Sequence, residues 1–369
     1  MSYETRKKLY EKLVKKRKRP LIVYVTSIRS KMGAQMAGDA IRPIIDQINL
    51  IPKEEKKIDF LIVSNGGDAI TALRIISLLR ERFDNIAVLL PYVAYSAATI
   101  LSLGADTIVM HPYSNLGPVD PQLTVSHKDN IGNPEQICFS SEDLVNYIDF
   151  IKRDVGIKKQ EYLADTTQLL IKDVGSLSIG SAKRSQMLSR SLSERMLSSH
   201  IEDTDKVKSI TKALNYSYYH HGYAVGRKEA NEIGLPVEIP DKLTEKLLWD
   251  IWVDFEEEMK CNDEFSPIKE IMSDPNTGDA IKTIPVLNMP VDLPPEIKQE
   301  VFKQVISKIQ IVSRFSIKIS PIIACVESLG KAQAFYNEIN ILYWRDTNAN
   351  LMYNMTNVPS GWVNYKGKC

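Results

Sequence analysis

Two short stretches of the chain carry the residue types that acyl transfer requires. An apolar run ends in Val63-Ser64-Asn65-Gly66-Gly67-Asp68, and the stretch Ala94-Tyr95-Ser96-Ala97-Ala98 places a serine at the start of a helix-like segment. Hydrolysis of an acyl bond needs a nucleophile, a base and hydrogen-bond donors for the oxyanion. A glycine pair after a strand lets backbone N–H groups face a cleft, because no Cβ blocks the approach. The two stretches predict an oxyanion hole and a nucleophile.

The setting of Ser96 suits that role. At a helix start, free N–H groups and the helix dipole favour a developing negative charge. The small neighbours Ala94, Ala97 and Ala98 leave its hydroxyl accessible. A serine at this position is usually only a helix cap, and a glycine pair alone says little. Their succession on consecutive strand–helix units is what favours the catalytic interpretation.

Alternating strands and helices must position these residues. Apolar runs predict buried strands at 21–26, 58–63, 86–90 and 107–110, and amphipathic stretches predict helices at 3–18, 40–50, 69–82 and 96–103. This alternation predicts an α/β fold whose mostly parallel sheet is covered on both faces. Residues 112–140 contain many prolines and glycines and predict a loop, followed by helices at 141–171 and 182–215.

The texture changes near residue 262. Prolines mark an irregular connection, after which a helix is predicted at 296–310 and strands at 315–326, 335–344 and 351–358. We therefore predict two units: a main α/β domain over residues 1–255, and a small C-terminal α+β appendage over residues 262–369.

Composition excludes several classes of protein. The 369 residues are 44% apolar and 25% charged, and the formal net charge is +1, so no field favours a nucleic-acid partner. The four scattered cysteines fit a reducing cytoplasm and no disulfide framework. We found no P-loop, no His-Glu-x-x-His pair and no apolar run long enough for a membrane span. We expect a cytoplasmic protein without a cofactor or a metal.

Five stretches of the chain resemble a known family. Ser64-Asn65-Gly66-Gly67-Asp68 resembles the Ser-Pro-Gly-Gly element of the Clp protease/crotonase fold, and residues 96–106 resemble its nucleophile helix. The run from Leu116 to Leu123 is similar to the serine dehydrogenase proteinase family, soluble relatives of signal peptide peptidase A. So are the opening residues 19–27 and the motif at His221-Gly222 and Arg227. The resemblance covers residues 8–255 and implies stacked β-β-α units.

The resemblance implies roles for particular residues. It implies a serine nucleophile at Ser96 and oxyanion donors in the backbone N–H groups of Gly67 and Ala97. Asn65 stands where many relatives have proline, which lowers the rigidity of the loop but keeps both glycines. The fold tends to form rings or stacked assemblies, so a homo-oligomer is also implied.

Three residues remain candidates for the general base. Lys172-Asp173-Val174-Gly175-Ser176 resembles the lysine segment of signal peptide peptidase A enzymes, although it lies farther from the serine than in those enzymes. A lysine acts as a base only when it is neutral, which burial favours. Lys183 is the second candidate and His221, in a family motif, is the third. His111 lies near the histidine position of Clp proteases, and we interpret that as a coincidence.

These observations predict a soluble, ATP-independent serine peptidase. Ser96 and a lysine, first of all Lys172, would form a Ser-Lys dyad acting on peptide or protein substrates. Residues 262–369 would cap a chamber, present substrates or bind a protein partner. One alternative is a catalytically silent scaffold on the same fold. Another is the acyl-CoA chemistry of crotonases, whose sites use backbone amides and carboxylates rather than a serine.

Overall fold

The computed structural model of the chain describes residues 3–128, 134–216, 222–278, 281, 293–310, 314–346 and 350–365. No helix in this part of the chain is both long enough and apolar enough to cross a bilayer.

An eight-stranded sheet forms the centre of the molecule. Its strands, in spatial order, are β10, β5, β3, β2, β1, β12, β13 and β16. Their bounds are β1 Leu21–Thr26, β2 Lys57–Val63, β3 Asn85–Leu90, β5 Thr107–Met110, β10 Val237–Glu238, β12 Ile322–Glu327, β13 Ala332–Tyr336 and β16 Trp362–Asn364. The first five in this order pair in parallel, and the last three add to β1 in antiparallel fashion.

Three smaller sheets complete the strands. Two short strands, β4 Val93–Ala94 and β6 Asn115–Leu116, join β9 Val225–Gly226. A hairpin pairs β7 Gln122–Lys128 with β8 Pro134–Ser140, and a third sheet orders β11 Phe315–Ile319, β14 Glu338–Arg345 and β15 Leu351–Val358.

Helices cover both faces of the central sheet. Their bounds are α1 Tyr3–Arg17, α2 Ile41–Asn49, α3 Ala69–Arg82, α4 Ala97–Leu103, α5 Ser141–Asp149, α6 Gln160–Val174, α7 Ser176–Leu197, α8 Thr204–Tyr216, α9 Arg227–Glu232, α10 Lys242–Glu258, α11 Pro267–Ser273 and α12 Pro295–Gln310. One core lies between the sheet and α2, α3, α4, α7 and α8. The other lies between the sheet and α1 and α10. Because both faces are buried, every residue of β1 is buried, as its apolar, β-branched sequence predicts.

The α/β fold and its mostly parallel core sheet are confirmed, and the four predicted strands stand where the sequence put them. The predicted loop over 112–140 was wrong. It contains the β7–β8 hairpin, and Gln122–Lys128 alternates polar and apolar residues with the two-residue period of a strand. The surrounding prolines and glycines obscured that period.

The C-terminal residues do not form a separate layer. β12 pairs with β1, from Val23 opposite Glu327 to Thr26 opposite Ala324, and so continues the central sheet. The sheet of β11, β14 and β15 instead packs on a small core of its own with Met32 and Phe265. The boundary that we predicted at residue 262 therefore does not coincide with a break in the central sheet.

A buried cluster of charged side chains connects β12 to α1 and α10. Arg6 of α1 is fully buried and contacts Glu327 of β12 at 2.6 Å, Asp254 of α10 at 2.7 Å and Glu258 at 2.6 Å. Burial raises the pKa of Asp254 and Glu258, and the Arg6 guanidinium partly offsets the rise. Removing one member of such a cluster leaves the others uncompensated, which costs about 3–5 kcal/mol.

Candidate active site

The glycine pair makes a tight turn at the carboxyl end of β2. Gly66 has φ +99° and Gly67 has φ +144°, values that side-chain-bearing residues rarely adopt. A Cβ on Gly66 would lie 2.5 Å from the carbonyl oxygen of Tyr95 and 2.8 Å from the Cβ of Ser96, and one on Gly67 would overlap the backbone of Met36. We call residues 64–68 and 93–98 the glycine corner. Its two halves are in contact at Gly66.

The backbone around the glycines is almost fully engaged. The Gly66 N–H donates to Ser64 Oγ at 3.1 Å, and the Asp68 N–H donates to the Met36 carbonyl at 2.9 Å. Met36 in turn donates to the Gly66 carbonyl at 2.7 Å. Within the described residues, the Gly67 N–H between these two makes no hydrogen bond. It is the amide that the turn leaves free for a ligand.

Ser96 stands in a strained backbone conformation between β4 and α4. Its φ is 52° and its ψ is −115°, which costs a non-glycine residue about 1–3 kcal/mol. Such a sharp turn between strand and helix exposes a nucleophile in other hydrolases, where glycines flank the serine. Here alanines take the place of those glycines. A search for the Gly-x-Ser-x-Gly motif therefore does not find this turn. Its side chain makes no capping hydrogen bond to α4, so it is not the helix cap that a serine here usually is.

The backbone amide of Ala97, which follows Ser96, lies beside the glycine turn. Ala97 opens α4, and a first helical residue has no partner for its N–H inside the helix. Its nitrogen lies 3.0 Å from the point that a Gly66 Cβ would occupy. Gly66 thus lies against Ser96 and the Ala97 nitrogen, and Gly67 follows it in the turn, so the amides of Gly67 and Ala97 are candidates for the donors that an oxyanion requires.

A loop after β6 borders the site and carries a carboxyl that the sequence interpretation missed. Gly117 packs on the ring of Tyr95 and donates its N–H to Thr99 Oγ1 at 3.2 Å. Three residues later, burial and then the charge of Glu142 raise the pKa of Asp120 to about 6, although a hydrogen bond with Ser140 opposes the rise. No local sequence pattern predicts this raised pKa, because Glu142 and Ser140 come close to Asp120 only in the folded chain.

The two candidate lysines lie on α6 and α7. Lys172 is exposed near the end of α6, which packs against α7 and β7. Lys183 is exposed on α7 and donates to Gln186 Oε1 at 3.0 Å. The part of α7 that meets α4 lies farther along, where Met196 approaches Gly104. In the described part of the chain, neither lysine forms a hydrogen bond or ion pair with Ser96.

The histidines divide into two cases. His111 stacks on Trp249 with ring centroids 5.2 Å apart, and its Nδ1 accepts from the Tyr113 N–H, so it has a structural role. His221 lies outside the described residues. Farther along the chain on either side, Leu214 accepts from the Val119 N–H at 2.9 Å, and Val225 pairs with Leu116 of β6.

Comparisons with known proteins agree with this geometry. The family model described as ClpP-like SDH-type serine proteinase matches residues 34–137, which contain both halves of the glycine corner. Two uncharacterised proteins of Methanocaldococcus jannaschii, MJ0137 and MJ1495, are each 26% identical to the chain, over 202 and 206 residues. These matches cover 54% and 55% of the chain, and the chain spans 60% of the length of either relative.

A solved structure shows a more distant likeness. It is the membrane-bound stomatin-specific protease 1510-N in a serine-to-alanine form, with 14% identity and a TM-score of 0.34 over 60% of this chain and 82% of that one. At that score the likeness says nothing about the site. The matched residues 34–137, which include the glycine corner, are similar to the ClpP-like serine proteinases of the SDH type.

Proposed function

We propose that the chain is a serine peptidase in which Ser96 attacks the carbonyl carbon of a peptide bond. The observation that carries the proposal is the contact of the glycine turn, through Gly66, with the strained Ser96 and with the backbone nitrogen of Ala97. Strain at a residue that the surrounding structure holds in place is common at catalytic sites.

The geometry supports a two-step acyl transfer. Ser96 Oγ bonds to the carbonyl carbon while its proton passes to a base, and the carbonyl oxygen takes the negative charge. The N–H groups of Gly67 and Ala97 donate to that oxyanion. Collapse expels the amine, which receives the proton from the base. Water then repeats the sequence on the acyl-serine, giving a carboxylic acid and free Ser96.

For the base, we rank His221 before the two lysines. A lysine must be desolvated to be neutral near pH 7, and both Lys172 and Lys183 are exposed. The Ser-Lys dyad therefore needs a further change that buries one of them. His221 comes first because a histidine has an ordinary pKa of about 6.5 and needs no such desolvation to act as a base.

A pH profile distinguishes these bases. A histidine base predicts that kcat/KM rises with an acid limb near pH ~6.5, whereas a lysine base moves that limb above pH ~7. His221→Ala, Lys172→Ala and Lys183→Ala, assayed in parallel, identify the residue. We expect a loss of about 10²–10⁴-fold in kcat for the true base and less than threefold for the others.

Peptide hydrolysis tests the function itself. We expect the full chain to cleave unfolded casein and to lose this activity in Ser96→Ala. Ser102→Ala is the matched control, because Ser102 is a buried serine of the same helix whose hydroxyl donates to the Ala98 carbonyl at 2.8 Å. Equal cleavage by wild type and Ser96→Ala contradicts the proposal. A wild type that neither cleaves casein nor reacts with a fluorophosphonate supports the silent scaffold instead.

Three wider features belong to the same proposal. The peptidase works without ATP in the cytoplasm, it assembles as a homo-oligomer, and residues 262–369 contribute a surface for a protein partner. Size-exclusion chromatography with light scattering measures the assembly. A monomeric, fully active protein would refute the oligomer and leave the chemistry of Ser96 intact.

A further inference from the structure

The side chain of Ser64 lies at the point where the two halves of the glycine corner meet. Ser64 is fully buried at the end of β2. Its hydroxyl oxygen accepts from the Gly66 N–H at 3.1 Å and from the hydroxyl of Thr26, on β1, at 2.8 Å. Two donors on different elements therefore fix one oxygen atom in place.

The backbone of the same residue holds the nucleophile segment. The Ser64 N–H donates to the Val93 carbonyl at 3.0 Å, and the Tyr95 N–H donates to the Ser64 carbonyl at 3.0 Å. Ser96 follows directly. Ser64 is thus bonded through its backbone to the chain before the nucleophile and through its hydroxyl to the chain before Gly67.

The Gly66 bond decides which amide of the turn stays free. With Gly66 N–H engaged by Ser64 and Asp68 N–H engaged by Met36, the intervening peptide has one orientation, and the Gly67 N–H is left for a ligand. Without the Ser64 oxygen, the Gly66 N–H is buried and unsatisfied, so the turn gains by rotating toward another acceptor. Asn65, which lacks the rigid φ of proline, does not resist that rotation.

We propose that Ser64 is a positioning residue for the oxyanion hole that couples the Gly67 amide to Ser96. Its hydroxyl, held by Thr26 Oγ1, fixes the Gly66 N–H, and its backbone bonds to Val93 and Tyr95 fix the segment before Ser96. This inference rests on the proposed peptidase function. Ser64 does not touch the reacting atoms. It acts by holding a donor at the right place, and misplacing a catalytic group by about 1 Å can cost on the order of 10²-fold in rate.

The test compares two buried serines. Ser64→Ala removes the bridging hydroxyl. Ser193→Ala is the control, because Ser193 is equally buried but donates to the Ser189 carbonyl at 2.9 Å, within α7. Fluorophosphonate titration of Ser96 gives the number of competent sites, and peptide hydrolysis gives kcat and KM per site. We expect kcat to fall about 10–100-fold in Ser64→Ala with KM within about twofold, and Ser193→Ala to keep both.

A second pair of variants serves if Ser64→Ala fails to fold. Thr26→Val keeps the shape of the side chain but removes the hydroxyl donor, whereas Thr26→Ser keeps the donor. We expect kcat to fall about 3–10-fold in Thr26→Val and to remain within about twofold in Thr26→Ser. A purely structural role would lower the melting temperature of both Thr26 variants without separating their kcat values.

The outcomes separate the two claims. If wild type cleaves peptides and Ser64→Ala, counted per titrated site, has a kcat within twofold of wild type, the positioning role is refuted and the peptidase stands. The same holds if Thr26→Val and Thr26→Ser have equal kcat. If wild type has no activity that depends on Ser96, the proposed function fails, and the positioning role fails with it.

Discussion

The glycine corner and the outer helices lie in the same chain but differ in how closely their atoms are packed. In the glycine corner, no Cβ can be added at Gly66 or Gly67 without meeting backbone atoms. The outer helices, which we define as residues 141–188, contain Gly180 with nothing within 4 Å of its added Cβ, and α6 buries no residue. They expose nine large apolar side chains: Val145, Phe150, Val155, Tyr162, Leu169, Ile171, Leu177, Met187 and Leu188.

This difference shows that atomic positions are tightly constrained in the glycine corner and loosely constrained in the outer helices. The corner holds its backbone through close contact, buried hydroxyls and hydrogen bonds of the Ser64, Gly66 and Asp68 amides. The outer helices have few buried contacts, so a displaced side chain there changes little. The proposed nucleophile and the proposed oxyanion donors belong to the first kind of region. Both lysine candidates for the base belong to the second.

The largest expected effect comes from closing the glycine corner. Gly66→Ala forces a Cβ against Tyr95 and Ser96 at a positive φ. We expect the free energy of unfolding to fall by about 3 kcal/mol or more and the folded fraction to lose at least about 10²-fold in kcat. Urea unfolding and peptide hydrolysis per titrated site measure these two losses.

Gly180→Ala is the matched control in the outer helices. Its Cβ enters open space inside α7, and alanine favours a helix over glycine by about 0.8–1.0 kcal/mol. We expect a small gain in stability and unchanged kcat. Equal damage from both substitutions would remove the contrast between the two regions.

A pH-dependent effect is expected at Asp120, on the border between the regions. Its pKa is about 6 in the folded chain against about 3.9 when unfolded, so the folded state holds the proton more tightly and ionisation opposes folding. Asp120→Asn should therefore stabilise the chain by about 1–2 kcal/mol at pH 7.5, after allowance for solvent screening, and give no such gain below pH ~4. Urea unfolding at the two pH values measures this, and an equal shift at both would refute the burial of the charge.

The smallest expected effect tests the strain at Ser96. Glycine adopts a φ of 52° without steric cost, whereas alanine keeps the strain of serine. We expect Ser96→Gly to be more stable than Ser96→Ala by about 1 kcal/mol, since relief of strain outweighs the extra entropy of the unfolded glycine. Both variants are inactive, so thermal unfolding is the readout. If Ser96→Gly is the less stable of the two, the strain at this turn is refuted.

The sequence predicted the glycine corner because its requirements are local. Each of its features occupies a short stretch of sequence and can be recognised from that stretch alone. These features are the two consecutive glycines, the serine among alanines and the flanking apolar strands. The alternation of β1, α2, β2, α3, β3 and α4 is equally local, since buried parallel strands are continuous apolar runs. Even the amide left free at Gly67 follows from residues within a few positions of it, apart from Met36.

The remaining features depend on distant residues and were not visible. β12 joins β1 across almost the whole chain, and that pairing is fixed by the burial of Glu327 with Arg6, which no local pattern predicts. The raised pKa of Asp120 needs Glu142 nearby. The base could not be chosen either, because a lysine in a favourable motif is a base only if the fold buries it, and Lys172 is exposed.

We propose Ser96 as the nucleophile that the glycine corner holds in place. The most direct test is mass spectrometry of the intact chain and its peptides after reaction with a fluorophosphonate. We expect one adduct, on the peptide that contains Ser96, absent from Ser96→Ala and retained in Ser102→Ala. An unlabelled wild type, or an adduct that persists in Ser96→Ala, would contradict it.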